Sequence, residues 1–277
     1  MVNISNQRTN VAFEDALANP EVIDCPLNGQ PYDVYQFNSA ATERPLVVYL
    51  GLGTTALTGM GKAYLEGYVS AIDRPILTMR PHADIWAGLA ERAVSDASVL
   101  DAIDVSDIDI VGASSGGMLA SCLAVEVGKR ARHLVTVSSV GTKTGYLEYI
   151  ASLPNQFLDG FKEVMAIRQQ RDPMPIFSPQ SSNFFNVTRY GELMKTIRQT
   201  VNASLAETIV TLNDDTRWID MIGTKDHMTD YKDHLALVRQ RNQEVPRSSS
   251  VYLLAGESHM WATKRSMLQK MVKTAIE

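Results

Sequence analysis

Apolar and polar positions along the chain switch between a two-residue and a helical period, and the switches mark a regular series of strands and helices. Residues 32–37 (Y-D-V-Y-Q-F) follow the Asn28-Gly29 turn and change face at each step, which predicts a half-exposed strand. Residues 46–50 (L-V-V-Y-L) form an unbroken apolar run closed by Gly51, the pattern of a strand buried on both faces. A Gly-rich loop and helical pattern occupy 51–71, a strand follows at 75–79, and a helix spans about 84–102. A β-branched run from Ile108 leads into an apolar helix at 118–127, and then come strands at 133–140, 218–223 and 251–255 and a terminal helix from about Thr263. A short helical pattern at 11–18, closed by Asn19-Pro20, precedes them all. Strands that alternate with helices in this way predict an α/β chain with a mostly parallel central sheet and helices on both faces.

The alternation is interrupted once. Residues 141–216 are far more than one crossover helix needs, and they hold helical patterns near 155–170 and 190–201 around the Pro- and Ser-rich stretch R-D-P-M-P-I-F-S-P-Q-S-S-N-F-F. The expected organisation is a core of residues 1–140 and 217–277 with a helical cap inserted at 141–216. Its aromatic and methionine side chains, Phe157, Phe161, Met165 and Phe184 among them, suit either a small core of its own or the lining of an apolar cavity.

Composition narrows the partners. The 277 residues are 45% hydrophobic and 21% charged, ordinary for a globular chain of one large domain. A net charge of −5, with no Lys/Arg cluster beyond Lys129, Arg130 and Arg132, argues against nucleic acid or an anionic membrane surface. The first ten residues lack the basic start and apolar core of a signal peptide, and no run approaches 18 apolar residues, so a cytoplasmic location is expected. Cys25 and Cys122 suggest packing rather than a disulfide framework.

The candidate chemistry begins at residues 108–117, I-D-I-V-G-A-S-S-G-G, where a strand runs through Gly-x-Ser-x-Gly into a helix. A serine hydroxyl is a poor nucleophile unless a sharp turn exposes it to a base and to backbone amides, and Gly112 and Gly116 flank Ser114 where such a turn leaves no room for a Cβ. A phosphate-binding loop is the competing reading of Gly and Ser after a strand. The chain has no G-x-x-x-x-G-K-[ST], and its glycine turn is misplaced for a dinucleotide fingerprint. A nucleophilic serine requires a base and an orienting acid downstream. Asp226 follows the strand at 218–223 in G-T-K-D, and His259 follows the last strand in G-E-S-H, so all three candidates sit past the carboxyl ends of separate strands. Asp220, Asp230 and Asp233 are weaker candidates for the acid. Among the other histidines, His133 reads as structural, His234 as a solvated position on a polar helix, and His82 and His227 as neighbours of the site. His227, Asp230 and His234 would share one helix face, the only metal-like spacing seen, and it reads as solvated charge; no metal or cofactor is expected.

Over residues 28 to 277 the chain resembles the α/β-hydrolase family, on V-G-A-S-S-G-G as the nucleophile elbow, G-T-K-D as the acid loop and G-E-S-H as the histidine loop. The resemblance implies the catalytic order Ser114, Asp226, His259 and a cap between the strand after the serine helix and the acid strand. Leu50-Gly51-Leu52-Gly53 resembles the family's His-Gly-x loop, with Leu50 where many members carry histidine, and implies that the backbone N–H groups of Leu52 and Ser115 form the oxyanion hole. Gly51, His227 and Trp261 are the candidate pocket residues. The expected activity is hydrolysis of a small or medium apolar carboxylic ester, with a small-molecule substrate as the partner and the oligomeric state open. Hydrolysis of C–C bonds, lactones or thioesters uses the same triad, and a slow-turnover ligand sensor could share the fold. Epoxide and haloalkane hydrolases carry aspartate where this chain has Ser114.

Overall fold

Eight strands hydrogen-bond into a single sheet in the order β1-β2-β4-β3-β5-β6-β7-β8. The computed structural model describes residues 12–51, 59–83, 86–141, 195, 198–200, 202–259 and 265–277. The strands are β1 (Glu21–Asp24), β2 (Pro31–Phe37), β3 (Leu46–Tyr49), β4 (Ile76–Pro81), β5 (Ile108–Ala113), β6 (Ala131–Val137), β7 (Arg217–Gly223) and β8 (Ser249–Leu254). Strand β2 pairs antiparallel with both β1 and β4, and every pair from β4 to β8 is parallel. Among the described residues, the α-helices of six residues or more are α1 (residues 12–18), α2 (Gly59–Ala71), α3 (Leu89–Ala102), α4 (Ser115–Val127), α5 (Leu205–Val210), α6 (Tyr231–Glu244) and α7 (Arg265–Ile276).

Successive side chains of a strand point to opposite faces, so a sheet covered on both sides needs apolar residues at consecutive positions. Strand β3 meets this requirement: Leu46 and Val48 join an apolar layer with Tyr64 and Leu65 of α2 and Leu268 and Val272 of α7, while Val47 and Tyr49 join the opposite layer with Leu100 of α3 and Leu119 and Leu123 of α4. The mostly parallel sheet with helices on both faces is therefore as expected. Several boundaries shift by one to five residues, and two of the shifts have local reasons. Strand β6 ends at Val137, short of the expected 140, because Ser138 takes φ 45°, outside strand geometry. The helix expected from 84 starts at Leu89, after the extended Gly88. Strand β1 has no counterpart in the sequence reading. Its four residues, E-V-I-D, are largely exposed at the sheet edge, and burial on neither face leaves little periodicity to detect.

Most of the expected cap, 142–194, lies outside the described residues. Helix α5 falls inside the 141–216 stretch, yet its Leu205 and Ile209, with Leu212 beyond it, are buried in the α3/α4 layer, so this end of the insertion is built into the core. Gln199, also buried, donates from Nε2 to the Trp86 carbonyl at 2.8 Å and ties the same end to the segment before α3.

At the amino ends of the parallel strands, buried Asp109 of β5 binds Arg44, Arg74 and His133. Burial favours its neutral form, but the His133 and Arg74 hydrogen bonds and charges outweigh burial and lower its pKa. This explains the structural role of His133: its ring and backbone N–H both face Asp109, at 2.8 and 3.1 Å, on the opposite edge of the sheet from Ser114.

Candidate active site

Ser114 is the single residue between β5 and α4, and it makes the turn by itself, at φ 55° and ψ −124°. A non-glycine residue held in this region is strained and persists only where its surroundings over-determine it. The surroundings here are close-packed glycines. A Cβ on Gly112 would overlap the Gly116 carbonyl and approach the Ala120 Cβ to 2.7 Å, and one on Gly116 would overlap the Leu50 carbonyl and approach the Tyr49 oxygen to 2.7 Å. The elbow thus presses α4 against both β5 and the end of β3. Ser115 is the first residue of α4, so its N–H belongs to the four amides that a helix leaves without an internal partner.

The acid and the histidine reach this turn from the far side of β6. Asp226 lies three residues past β7 and His259 five past β8, and both loops rise from the carboxyl edge of the sheet. They are sewn together: Lys225 N–H donates to the Glu257 carbonyl at 2.8 Å, and Gly256 N–H donates to Thr224 Oγ1 at 2.8 Å. The Glu257 backbone crosses directly over Gly223, where a Cβ would lie 2.7 Å from the Glu257 carbonyl carbon. Gly223→Ala is therefore expected to push the His259 loop off its seat. A displacement of about 1 Å costs roughly 100-fold in rate, so kcat/KM should fall by about that factor with the far-ultraviolet circular dichroism retained.

These elements bring three side chains into line. His259 Nε2 lies 2.9 Å from Ser114 Oγ, and His259 Nδ1 lies 2.8 Å from Asp226 Oδ2. A carboxylate only accepts, so Nδ1 carries the proton and Nε2 is left as the acceptor for the serine hydroxyl. The other Asp226 oxygen accepts from the backbone N–H groups of Met228 (2.9 Å) and Thr229 (3.1 Å). Burial would raise the pKa of Asp226, but the charge and hydrogen bond of His259 and the Met228 N–H lower it below the usual carboxylate range. The imidazole of His259 is nearly enclosed and Ser114 is half-buried, an arrangement that leaves the hydroxyl as the approachable end.

The remaining candidates divide. Gly51 abuts the elbow: a Cβ built there would lie 3.2 Å from the Ser114 Cβ. His227 is exposed beside Asp226. Leu52 and Trp261 lie outside the described residues. His82 turns to Asp33, with Nε2 2.7 Å from Oδ1. Asp230 caps α6 by accepting from Lys232 N–H at 2.9 Å, and Asp233 lies in the first turn of the same helix.

His234 corrects the sequence reading. It is not solvated but 0% exposed, with Nδ1 2.7 Å from Asp220 Oδ2. Asp220 is equally buried, and its Oδ1 accepts from Thr136 Oγ1 at 2.6 Å, which in turn accepts from Trp218 Nε1 at 2.9 Å. This pairing removes Asp220 from the competition for His259, and the buried ring removes His234 from any surface metal face. The signal available in the sequence was Asp220 itself, a carboxylate within the otherwise apolar W-I-D-M-I-G run, which must find a cationic or donor partner if the strand is covered on both faces.

No protein-family model and no curated protein matches this sequence. Solved structures do match in shape. A hydrolase from Pseudomonas aeruginosa superposes with a TM-score of 0.70 at 16% identity, covering 93% of this chain and 98% of its own. A carboxylesterase from Bacillus subtilis gives 0.59 at 12% identity over 99% of each chain, and a bromoperoxidase from Bacillus anthracis gives 0.64 at 13% identity over 93% and 99%. The chain has the α/β-hydrolase fold. Among the described residues, no helix is long and apolar enough to cross a membrane.

Proposed function

We propose that the protein is a serine hydrolase that cleaves a small or medium apolar carboxylic ester through an acyl-enzyme, with Ser114 as nucleophile, His259 as base and Asp226 as the orienting acid. The observation that carries this reading is the continuous line Ser114 Oγ, His259, Asp226, at 2.9 and 2.8 Å, beginning at a strained turn. The hydrolase and carboxylesterase among the similar folds support it.

As Ser114 Oγ attacks the ester carbonyl, its proton passes to His259 Nε2 and the carbonyl electron pair moves onto oxygen. Asp226 stabilises the imidazolium that forms, and the Ser115 N–H at the amino end of α4 faces the oxyanion, with the Leu52 N–H as the proposed second donor. Collapse of the tetrahedral species reforms the carbonyl and breaks the bond to the alkoxy oxygen, which takes the Nε2 proton and leaves as the alcohol. Water then attacks the acyl carbonyl, gives a proton to Nε2, and the serine oxygen leaves with that proton as the acid is released.

A panel of p-nitrophenyl esters of graded acyl length tests this, with Ser114→Ala as control. The expected result is multiple turnover that falls at least about 10⁴-fold in Ser114→Ala, and covalent labelling by a fluorophosphonate at Ser114 alone. Labelling without turnover of any ester would favour a specialised C–C, lactone or thioester substrate or a ligand sensor. Equal hydrolysis by Ser114→Ala would reject the reading.

A further inference from the structure

The carboxyl end of β3 stands directly against the elbow. A Cβ built on Gly51 would lie 3.2 Å from the Ser114 Cβ and 3.3 Å from the Ala113 carbonyl oxygen, and one on Gly116 would meet the Tyr49 oxygen at 2.7 Å and the Leu50 carbonyl carbon at 2.8 Å. The backbone of residues 49–51 is thus the wall against which Ser114 turns. Hydrogen bonds hold that wall unevenly: β3 pairs with β5 over its whole length, Leu46 to Tyr49, but its ladder to β4 stops at Val47. The end of the strand is fixed by something other than the sheet.

That additional tie is a side chain. Tyr49, the last residue of β3, turns into the layer shared with α3, and its hydroxyl donates to Asp96 Oδ2 at 2.7 Å, with both residues buried. Asp96 is itself oriented: Arg92, one turn earlier on α3, places Nε 3.7 Å from Oδ2 and its guanidinium 5.9 Å from the centre of the Trp86 ring, whose Nε1 donates to Ser95 Oγ at 2.8 Å. Asp96 Oδ1 is buried without a hydrogen-bond partner, so among the described residues the Tyr49 hydroxyl supplies the one hydrogen bond this carboxyl group accepts. A buried carboxyl group so thinly satisfied costs stability, and an apolar residue would fill the same layer without that cost. Its presence is accounted for by the tyrosine it holds. Burial raises the pKa of Asp96, yet a proton on Oδ1 leaves Oδ2 free to accept, so the bond persists whether or not the group is charged.

We propose that Tyr49 and Asp96 are positioning residues for the reaction at Ser114: their hydrogen bond ties the end of β3 to α3 and so holds Leu50 and Gly51 at the spacing from the elbow that a developing oxyanion requires. This inference rests on the reading of Ser114 as the nucleophile of an acyl transfer. Both side chains act through the backbone rather than on the reacting atoms. Loss of the bond is felt in the transition state more than in the substrate complex, because the tetrahedral oxyanion demands closer placement of its donors than the planar carbonyl does.

Tyr49→Phe removes the hydroxyl and nothing else. On a p-nitrophenyl ester it is expected to lower kcat by about 10–100-fold, the range for a misplacement of up to about 1 Å, with KM within about threefold of wild type. Affinity for a trifluoromethyl ketone, which accepts Ser114 Oγ at its carbonyl carbon and then carries the charge of an oxyanion, should fall by the same factor as kcat/KM. Asp96→Ala should match Tyr49→Phe, and the double variant should fall little further. Asp96→Asn, whose amide oxygen still accepts from Tyr49, should recover kcat to within about threefold of wild type. A merely structural role would lower the unfolding temperature and leave kcat and ketone affinity of the folded molecules in place; that outcome, or Asp96→Asn as slow as Asp96→Ala, overturns the proposal. A crystal structure of the unmodified protein inactivated by a p-nitrophenyl alkylphosphonate requires no variant to fold: a phosphonyl oxygen that accepts from a backbone N–H in the segment after Tyr49 as well as from Ser115 supports the proposal, and one held by α4 amides alone overturns it. Ser114 left unlabelled by the phosphonate would defeat the nucleophile assignment itself, whereas labelled Ser114 with unaltered kcat in Tyr49→Phe would defeat this inference alone.

Discussion

Asp226→Asn is expected to lower kcat by about 10⁴-fold at neutral pH with the fold intact. The magnitude follows from the number of acceptors the site demands. Asp226 offers one oxygen to the Met228 and Thr229 N–H groups and the other to His259 Nδ1. An asparagine has a single oxygen, and the two fixed backbone donors claim it, which turns the amide nitrogen toward His259. That nitrogen can only donate, so the ring must accept at Nδ1 and carry its proton on Nε2. Nε2 then points a hydrogen at Ser114 Oγ, 2.9 Å away, and can no longer receive one. The imidazolium formed in the transition state also loses its counter-charge. Steady-state kinetics on the ester panel, with thermal unfolding alongside, would check this; a variant with full activity at neutral pH would show that Asp226 is not the acid.

The largest effect on stability is expected at the elbow. Gly112→Ala places a methyl carbon inside the contact distance of the Gly116 carbonyl and 2.7 Å from Ala120 Cβ. Neither obstacle is the movable end of a long side chain: one is backbone on the first turn of α4, the other a Cβ at its middle. Helix α4 must therefore shift as a body away from β5, although its buried face, Met118, Leu119, Leu123 and Ala124 among others, is packed into the layer shared with α3. Overpacking of this kind costs about 3 kcal/mol, which a denaturant titration resolves, and the same shift would carry Ser114 from His259. Gly112→Ala should thus lose activity along with stability, whereas Asp226→Asn should lose activity alone. Wild-type stability in Gly112→Ala would mean that the turn is looser than these contacts require.

The elbow was readable because its chemistry is local. Gly112, Ser114 and Gly116 lie within five positions, at the junction of a β-branched run and an apolar helix, and the steric demand that selects glycine there arises from the turn itself. The candidate acid and base were readable more indirectly, as polar residues just past two apolar strands, and that placement depends only on strand ends of a parallel sheet facing one way. Strand β1 escaped because an exposed edge imposes no burial pattern. The pairing of α5 with the core escaped for a different reason: its Leu205, Ile209 and Leu212 look the same whether they face a cap or α4.

By itself, then, the sequence determined the alternation of strands and helices, the turn at Ser114 and the order of the three candidate residues, since each is an outcome of neighbouring residues acting along one segment. Only the tertiary structure decided which carboxylate meets which imidazole. Asp220 and Asp226 both lie within reach of a histidine, and Asp220 goes to His234 and Asp226 to His259 because one points into the layer beneath α6 and the other rises past the end of β7. Periodicity records that a side chain is buried, but its partner belongs to another element, and the distance between them is set by how the helices and strands pack.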